Sequence, residues 1–349
     1  TIHRENTSMD PISQGVLGAS LPIASNKHVV KSKQLKTVAW LGCIAGMAPD
    51  IDVLIQSPTD PILFLEYHRQ FTHSLIFVPI GALICSLFFY RLYKQSLTFK
   101  QGYLVCLLGY STHALLDACT TYGTLLLWPF SDLRIAWNNV SVVDPLFTVP
   151  LIVLVILSVR KANPIFSKFA LVWGVSYLLI GVMQRERAEV QGWELAQSRG
   201  HTPTRLEAKP GFGNLLLWKV VYETRDRFYV DGYRMGIEPQ LFEGDTIRKL
   251  NVVRDLPWLK AKTQQSDDLK RFNWFSNDYL GIDPDNPLHI IDVRYSMLPN
   301  QIDPLWGIIL NPNAGPNDHV IYQADRSGSS ERLEQLIAMM VGNTAEATK

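Results

Sequence analysis

The chain has 349 residues and a formal net charge of +1, enough for one large or two ordinary domains. No run of Lys and Arg with interleaved aromatic residues occurs, so the composition excludes a nucleic-acid groove of that kind. Charge is unevenly spread: residues 70–90 contain no Asp, Glu, Lys or Arg, residues 102–131 contain only Asp117, and residues 184–349 are densely charged. The pattern predicts an apolar membrane part followed by a soluble part.

The apolar stretches are long enough to suggest transmembrane helices, which need about 20 mainly apolar residues. Candidate spans are residues 37–55, 72–90, 102 to about 128, 145–159 and 169–184. A weaker stretch, residues 12–24, contains Pro22 and fits a partial or re-entrant helix. Residues 1–8 are polar and precede a Met9-Asp10-Pro11 sequence typical of a natural start, so we interpret them as an upstream extension.

Positive charges in the short loops predict how the spans are oriented, because Lys and Arg are retained on the cytoplasmic side. The charge-rich loops contain Lys27, Lys31, Lys33 and Lys36, then Arg91, Lys94 and Lys100, then Arg160, Lys161 and Lys168. In the intervening loops, residues 56–71 and 131–144, the only Lys or Arg residues are Arg69 and Arg134. We therefore expect a multi-pass protein of the cytoplasmic membrane, with residues 56–71 and everything after residue 184 on the outer side.

The polar part predicts a β-rich domain. Residues 215–223 and 227–235 are rich in aromatic and β-branched residues around a polar break, as in a hairpin. Further strands are expected at residues 289–295, 306–310 and 319–323, and a helix at residues 331–341. The predicted fold class is a polytopic α-helical membrane domain, residues 9–184, followed by a small, soluble, mostly antiparallel α+β domain, residues 185–349.

The first candidate site is Pro49-Asp50-Ile51-Asp52, within an otherwise apolar stretch. Carboxylates at membrane depth are costly and usually face a cavity, a partner or an ion. Proline disturbs the preceding helical turn, which can let Asp50 and Asp52 converge. Alternatively, the two carboxylates merely end the helix at the membrane interface.

The second candidate site is the segment from His68 to Ser74, at the start of the next span. Two histidines five residues apart do not share a helix face, so His68 and His73 fit a loop ligand and a helix-start ligand that converge on one ion. Thr72 is expected to cap the helix, and Arg69 could pair with a phosphate or carboxylate through its planar fork. The alternative is a set of interfacial anchors.

The third candidate site is His113 with Asp117, one helical turn apart within the apolar stretch. At that spacing both side chains lie on one helix face. Asp117 could bind a metal directly or hold His113 through its second ring nitrogen. The alternative is an isolated buried ion pair.

The predicted topology brings these three sites together near the outer leaflet. The candidate ligands are Asp50, Asp52, His68, His73, His113 and Asp117. Carboxylate and imidazole ligands together favour zinc, with manganese or iron(II) as alternatives, over calcium. More than four ligands would permit a two-metal site that activates water and clamps a substrate oxygen.

Six short motifs occur in sequence order in the first 130 residues of the chain. They are Met9-Asp10-Pro11, Gln14-Gly15, Leu17-Gly18-Ala19, Pro49-Asp50-Ile51-Asp52, HRQFTHS from His68, and GYSTHALLDACTTYGTLLLWPF over residues 109–130. In content and order they resemble the YdjM-type family, described as membrane-bound, metal-dependent hydrolases and, in some members, as products regulated by the LexA repressor. Gln14 stands where many relatives carry histidine, a better metal ligand.

The resemblance implies a metal-dependent hydrolase of the bacterial inner membrane. A loose similarity of the His and Asp pattern to zinc-dependent phospholipase C suggests a phosphoester or lipid-linked substrate, with membrane lipid as the surroundings. In this hypothesis the clustered ligands bind one or two ions, a metal-bound hydroxide attacks, and Arg69 steadies the anionic group. The alternatives are a non-enzymatic protein with a structural or sensing metal site, and an ion transporter.

Overall fold

The structure is a computed structural model that describes residues 10–25, 32–324 and 329–342. The chain divides into two compact units. The first unit comprises the described residues of Asn6–Leu54 and Tyr67–Val182, and the second those of Ile55–Glu66 and Met183–Lys349. The upstream extension expected at residues 1–8 lies outside the described residues, as do Lys27 and Lys31 of the orientation argument.

The N-terminal part of the chain is helical. Its helices are α1 (Pro11–Ser25), α2 (Ser32–Met47), the short α3 (Leu63–Tyr67), α4 (Val78–Tyr93), α5 (Phe99–Cys119), α6 (Pro145–Lys161) and α7 (Ile165–Ser198). Two 3₁₀ turns, Ala48–Leu54 and Phe71–His73, carry candidate ligands. Helix α5 begins after Thr98, whose side chain and that of Gln101 satisfy each other's backbone N–H groups in a capping box.

Helices α1, α2 and α5 pack with their backbones in contact. A Cβ on Gly42 would lie 2.6 Å from the carbonyl oxygen of Gly18, and one on Gly109 would lie 2.6 Å from the carbonyl oxygen of Gly42. A Cβ on Gly46 would lie 2.7 Å from the carbonyl oxygen of Gln14. Small residues permit such close approach between helices where lipid supplies little hydrophobic drive. The same contacts bring Gln14 and Gly46 close to one another.

Two of the described helical stretches are long and apolar enough to cross a membrane. They are Ser32–Leu54, with 23 residues, and Ile165–Ser198, with 34 residues. The pair Leu63–His73 and Val78–Tyr93, bent by 85°, would be a third span if it counts as one. The arrangement with five spans and its orientation stay predictions.

Several predicted helix limits were wrong. The apolar stretch from residue 102 was expected to be helical to about 128, but α5 ends at Cys119 because Thr120 is extended. The loop that follows returns to the second candidate site, where Leu125 N–H donates to the carbonyl of Arg69. Thr72 does not cap a helix, since α4 begins only at Val78.

The strands of the C-terminal part pair antiparallel, as predicted, and form two separate sheets. The first sheet contains β1 (Arg205–Pro210), β2 (Leu217–Glu223), β3 (Arg227–Met235) and β4 (Pro239–Phe242) in that order, with β5 (Thr246–Arg248) also paired to β3. The second sheet contains β6 (Leu280–Ile282), β7 (His289–Asp292), β8 (Trp306–Ile309) and β9 (Ile321–Ala324) in order. The remaining helices are α8 (Val252–Asp255), α9 (Gln264–Phe275) and α10 (Ser329–Val341).

The predicted hairpin is confirmed, because β2 and β3 pair antiparallel with Val221 opposite Val230. The predicted strands at residues 289–295, 306–310 and 319–323 and the predicted final helix are also present, with shifted ends. The first sheet's β1 was not predicted, because its sequence includes Glu207 and Lys209, which pair with each other in the fold. The strand alternates charged and apolar residues from Arg205 to Pro210, but it contains none of the β-branched or aromatic residues that marked the predicted strands.

Candidate metal centre

Three separate local structures carry five of the six candidate ligands, and His68 lies in the turn between α3 and the second 3₁₀ turn. Asp50 and Asp52 lie on the 3₁₀ turn that follows α2, where Pro49 precedes them. His73 ends the next 3₁₀ turn, and its side chain is fully buried. His113 and Asp117 lie one turn apart on α5, and both are fully buried.

Four of these side chains converge on one point. The Nε2 atoms of His73 and His113 are 2.8 Å apart. Asp117 Oδ2 lies 3.2 Å from the Nε2 of His73. Asp50 Oδ1 lies 3.5 Å from the Nε2 of His73 and 3.4 Å from that of His113. One ligand atom from each of the four residues therefore lies within 4.8 Å of the other three.

The hydrogen-bond partners indicate which histidine nitrogens are free to bind an ion. His113 Nδ1 lies 2.6 Å from the carbonyl oxygen of Gly46, so it donates and its Nε2 carries a lone pair. His73 Nδ1 lies 3.2 Å from Asp52 Oδ2, a carboxylate, and donation there leaves its Nε2 unprotonated as well. Two lone pairs would then face each other beside two carboxylates. Such an arrangement repels itself unless a cation or a proton lies between the groups.

The donor set fits a divalent cation. Bonds of about 2.0–2.1 Å to a tetrahedral zinc place its ligand atoms roughly 3.3 Å apart, close to most of these separations. The two carboxylate oxygens of Asp50 and the Oδ2 of Asp117 are buried, and they accept no hydrogen bond from the described part of the chain. Buried carboxylate oxygens normally have donors. Asp117 Oδ2 has the Arg69 guanidinium 3.1 Å away, so the two oxygens of Asp50 are the ones that point to a bound cation.

Asp52 lies behind this group and connects its neighbours. Its Oδ1 lies 2.7 Å from His68 Nδ1, and its Oδ2 accepts hydrogen bonds from the Arg69 N–H and the Thr72 hydroxyl as well as facing His73. This is the position of a carboxylate that orients a metal-binding histidine. Asp50, Asp52 and His68 also form a second group with ligand spacing, and the Nε2 of His68 is buried with no hydrogen-bond partner in the described structure.

Gln14 contacts the cluster through Asp117. Its Nε2 donates to Asp117 Oδ1 over 2.7 Å, leaving Oδ2 directed toward the histidines. Helix α1 is close enough for this contact because glycines line its interface with α2. The role of position 14 had stayed open in the sequence, and the structure shows its side chain hydrogen-bonded to a candidate ligand.

Arg69 lies on the other side of Asp117. Its Nε is 3.1 Å from Asp117 Oδ2, and its Nη1 donates to the Thr120 hydroxyl over 3.0 Å. The guanidinium also lies over the ring of Tyr122, 5.2 Å from its centre. Arg69 is buried with a φ of 63°, a left-handed conformation that non-glycine residues rarely adopt and that costs energy. The surrounding structure therefore holds this residue in a strained but fixed position.

The structure brings together all seven residues proposed from the sequence. Sequence reasoning did not anticipate Thr120 and Tyr122 as neighbours of Arg69, or the hydrogen bond from Thr72 to Asp52. Thr120 and Tyr122 belong to the block that resembles the YdjM-type family, which was the one available signal. The three histidines of the second unit pair elsewhere, His201 with Tyr222, His289 with Asp283 and His319 with Asp268.

A comparison with known families matches residues 9–188, just over half of the chain, to the YdjM inner membrane protein family. The match includes every residue of the cluster. The chain belongs to the YdjM family. Membership supports the membrane character that the apolar helices indicate, and names neither a reaction nor a substrate.

Two curated relatives are similar to the chain. The uncharacterized protein YfhP of Bacillus subtilis (strain 168) is 25% identical over 275 residues, which cover 78% of this chain and 81% of the relative. The inner membrane protein YbcI of Escherichia coli (strain K12) is 34% identical over 107 residues, 30% of this chain and 61% of the relative. No solved structure matches the chain.

Proposed function

We propose that this YdjM-family protein is a membrane-embedded, metal-dependent hydrolase. The observation that carries the proposal is the convergence of Asp50, His73, His113 and Asp117, whose ligand atoms lie within 4.8 Å of one another. These four residues would bind one ion, zinc in the first place, with manganese or iron(II) as alternatives. Asp52 and His68, with Asp50 shared, would hold a second ion where two are bound.

A bound divalent ion would supply two kinds of chemistry at this position, polarising a substrate oxygen and making water a better nucleophile at neutral pH. The protein's own contribution is to keep the donor atoms in place. His113 is held by the Gly46 carbonyl, His73 by Asp52, and Asp117 by Gln14. Each contact fixes the ring or carboxylate orientation before substrate arrives.

Arg69 is proposed to bind the anionic group of the substrate. Its Nη2 is buried and makes no hydrogen bond within the described structure, while Thr120 and Tyr122 hold the rest of the guanidinium. A rigid arginine with unused donor capacity suits phosphate or carboxylate oxygens. Arg69 Nε lies 3.1 Å from Asp117 Oδ2, so a substrate phosphate or carboxylate bound by Arg69 would lie beside the ion-binding atoms.

The surroundings of Asp50 favour a lipid or lipid-linked phosphoester. Asp50 has a side chain that is 12% exposed, whereas His73, His113 and Asp117 have none exposed. Its neighbours on the same 3₁₀ turn are apolar and open, with Ile51 67% and Leu54 76% exposed. Apolar side chains at the exposed edge of a polar site suit an amphiphilic substrate that enters from the bilayer.

The location of the site at the outer face of the membrane is part of the proposal. It rests on the Lys and Arg distribution, which supports an extracytoplasmic location of residues 56–71 and of the C-terminal domain, the periplasm in a bacterium with two membranes. Labelling of single cysteines from outside intact cells would test it. Labelling at Ser57→Cys and protection at Lys94→Cys are expected, and the reverse pattern would overturn the orientation.

Metal analysis of the purified protein tests the ligand assignment. In detergent, the wild-type protein is expected to retain stoichiometric metal, and the variant His73→Ala plus His113→Ala is expected to lose it. His289→Ala, in the second unit, is the matched control and should retain metal. Stoichiometric metal that is unchanged in the double variant would contradict the assignment.

A second candidate function is a non-enzymatic protein with a structural or sensing metal site. The observation in its favour is the complete burial of His73, His113 and Asp117, since structural sites are closed. Loss of a ligand should then lower thermal stability, while screens for phosphodiesterase, lipase and amidase activity stay negative. Metal-dependent turnover that His113→Ala abolishes would exclude this alternative.

A further inference from the structure

Arg271, on helix α9, binds the chain segment Ile55–Glu66 within the second unit. Its Nη2 and Nη1 atoms lie 2.8 and 3.1 Å from the two carboxylate oxygens of Asp60. Its Nε donates to Glu66 over 2.6 Å. A planar guanidinium that makes a bidentate contact with one carboxylate and a further bond to another is a specific and directional clamp.

The clamp is anchored in the β-rich part of the chain by Asp268. This fully buried carboxylate accepts from Arg271 Nη1 over 3.0 Å and from the backbone N–H of Val320 over 3.1 Å. It also lies 2.9 Å from His319 Nδ1. The guanidinium is therefore held on the α9 side by a group that is itself fixed.

The cluster of Asp60, Asp268 and His319 has spacing that a metal ion could use. Arg271 already donates to both carboxylates, and its charge occupies the place that a cation would take. The geometry therefore favours an ion-pair network over a second metal centre. An aromatic contact also holds the segment Ile55–Glu66, because the rings of Phe64 and Tyr322 pack edge to face with centres 5.1 Å apart.

The clamped segment lies in sequence between the two turns that carry candidate ligands. Ile55 follows Asp52 by three residues, and Glu66 precedes His68 by two. Helix α3 includes Glu66 and ends at Tyr67, directly before His68. Because so few residues separate the clamp from the ligands, the conformation that the clamp gives this segment restricts the distance between its two ends, and with it the chain that joins Asp52 to His68.

We propose that Arg271 is a positioning residue of the metal centre. By binding Asp60 and Glu66 it fixes the path of the chain between Asp52 and His68, so that the metal affinity of the centre depends on a residue of the β-rich part. This inference rests on the proposed function, because it presumes that the cluster binds metal. It gives the C-terminal domain a role in organising the site.

Zinc affinity of the full-length protein in detergent tests the proposal, measured by competition with a chromophoric chelator. Arg271→Gln is expected to raise the zinc Kd by about tenfold or more, the usual effect of losing a supporting contact. Lys270→Gln is the matched control, since Lys270 is 67% exposed and pairs only across the helix surface with Asp267 among the described contacts. Its Kd should stay within about twofold of the wild-type value.

A second variant separates positioning from damage to the β-rich domain. Asp60→Asn plus Glu66→Gln removes the same contacts from the segment and leaves α9 intact, so it should raise the Kd as Arg271→Gln does. An unchanged Kd in Arg271→Gln, or a raised Kd in Arg271→Gln alone, would overturn the positioning role. A wild-type protein that binds neither zinc nor manganese nor iron(II) would overturn the proposed function and this inference together.

Discussion

His73 and His113 face each other through Nε2 atoms that are 2.8 Å apart, although they lie 40 residues apart in sequence. Each ring is held from behind, His113 by the Gly46 carbonyl and His73 by Asp52. With both outer nitrogens placed to donate, two neutral rings would present lone pairs to each other, an arrangement that needs a cation or a proton between them. This relationship motivates the proposed metal centre and leads to the first prediction.

Metal removal is expected to lower the thermal stability of the protein. Without a cation, the facing lone pairs and the carboxylates of Asp50 and Asp117 repel one another. A chelator should lower the Tm of the wild-type protein in detergent by about 4 °C or more, measured by tryptophan fluorescence. The variant His73→Ala plus His113→Ala should show no such shift, and an equal shift in both proteins would contradict the prediction.

Replacement of Gln14 is expected to weaken metal binding without abolishing it. Gln14→Leu removes the hydrogen bond to Asp117 Oδ1 and leaves that carboxylate free to turn, so the zinc Kd should rise by about tenfold. Ser20→Ala is a control on the same helix, because Ser20 bonds only to the Val16 carbonyl among the contacts described. Similar affinities for Gln14→Leu and Ser20→Ala would show that Asp117 needs no such support.

Arg69→Lys should separate substrate binding from metal binding. Lysine keeps the positive charge but loses the planar fork, so hydrolysis should fall by about 10²-fold or more while bound metal stays stoichiometric. Hydrolysis of bis(4-nitrophenyl) phosphate, with metal content measured in parallel, gives both readouts. Arg91→Lys, on the exposed end of α4, is the control. Full activity in Arg69→Lys would remove Arg69 from the proposed mechanism.

Glycine substitutions should distinguish the tight helix interface from open helix surface. A Cβ at Gly42 would lie 2.6 Å from a backbone oxygen of α1, so Gly42→Ala should destabilise the fold by roughly 1–3 kcal/mol. At Gly174 the nearest atoms are side-chain carbons 3.8 Å away, so Gly174→Ala should be neutral or slightly stabilising. Thermal unfolding in detergent tests the pair, and equal Tm values would contradict the close packing of α1 and α2.

Lys219 makes the stability of the β-rich domain depend on pH. Burial lowers the pKa of Lys219 to about 7, and its Nζ donates to the Ser296 hydroxyl and the Gln301 carbonyl. Between this pKa and the unfolded value of about 10.4, the unfolded chain binds more protons than the folded chain. This group therefore makes the protein more stable as pH rises from 7 to 10, by up to about 1.4 kcal/mol per pH unit.

Denaturant unfolding of the wild type and of Lys219→Met at pH 7 and pH 9 isolates this contribution. From pH 7 to pH 9 the free energy of unfolding should increase more in the wild type than in Lys219→Met, which lacks the titrating group. The same pH dependence in both proteins would mean that Lys219 keeps its ordinary pKa in the folded state.

The elements that could be predicted were those with strong local signals. The aromatic and β-branched residues on both sides of Thr224-Arg225-Asp226 predicted the hairpin of β2 and β3, and the charge-poor stretches predicted helices. The end of α5 at Cys119 could not be read in this way, because residues 120–128 are as apolar as the helix before them. Their hydrogen bonding to the segment around Arg69 is a long-range interaction, which local propensity does not contain.

The sequence by itself determined which residues were candidates, since ionisable side chains in an apolar segment are costly enough to require a reason. It also determined the membrane character of the chain and, by resemblance, its family. Only the tertiary structure decided which atoms meet: His113 Nε2 faces His73, Asp52 stands behind them, and Gln14 supports Asp117. Those relationships depend on the glycine contacts between helices and on the path of two 3₁₀ turns, where small differences in backbone position decide whether a carboxylate binds an ion or orients its neighbour.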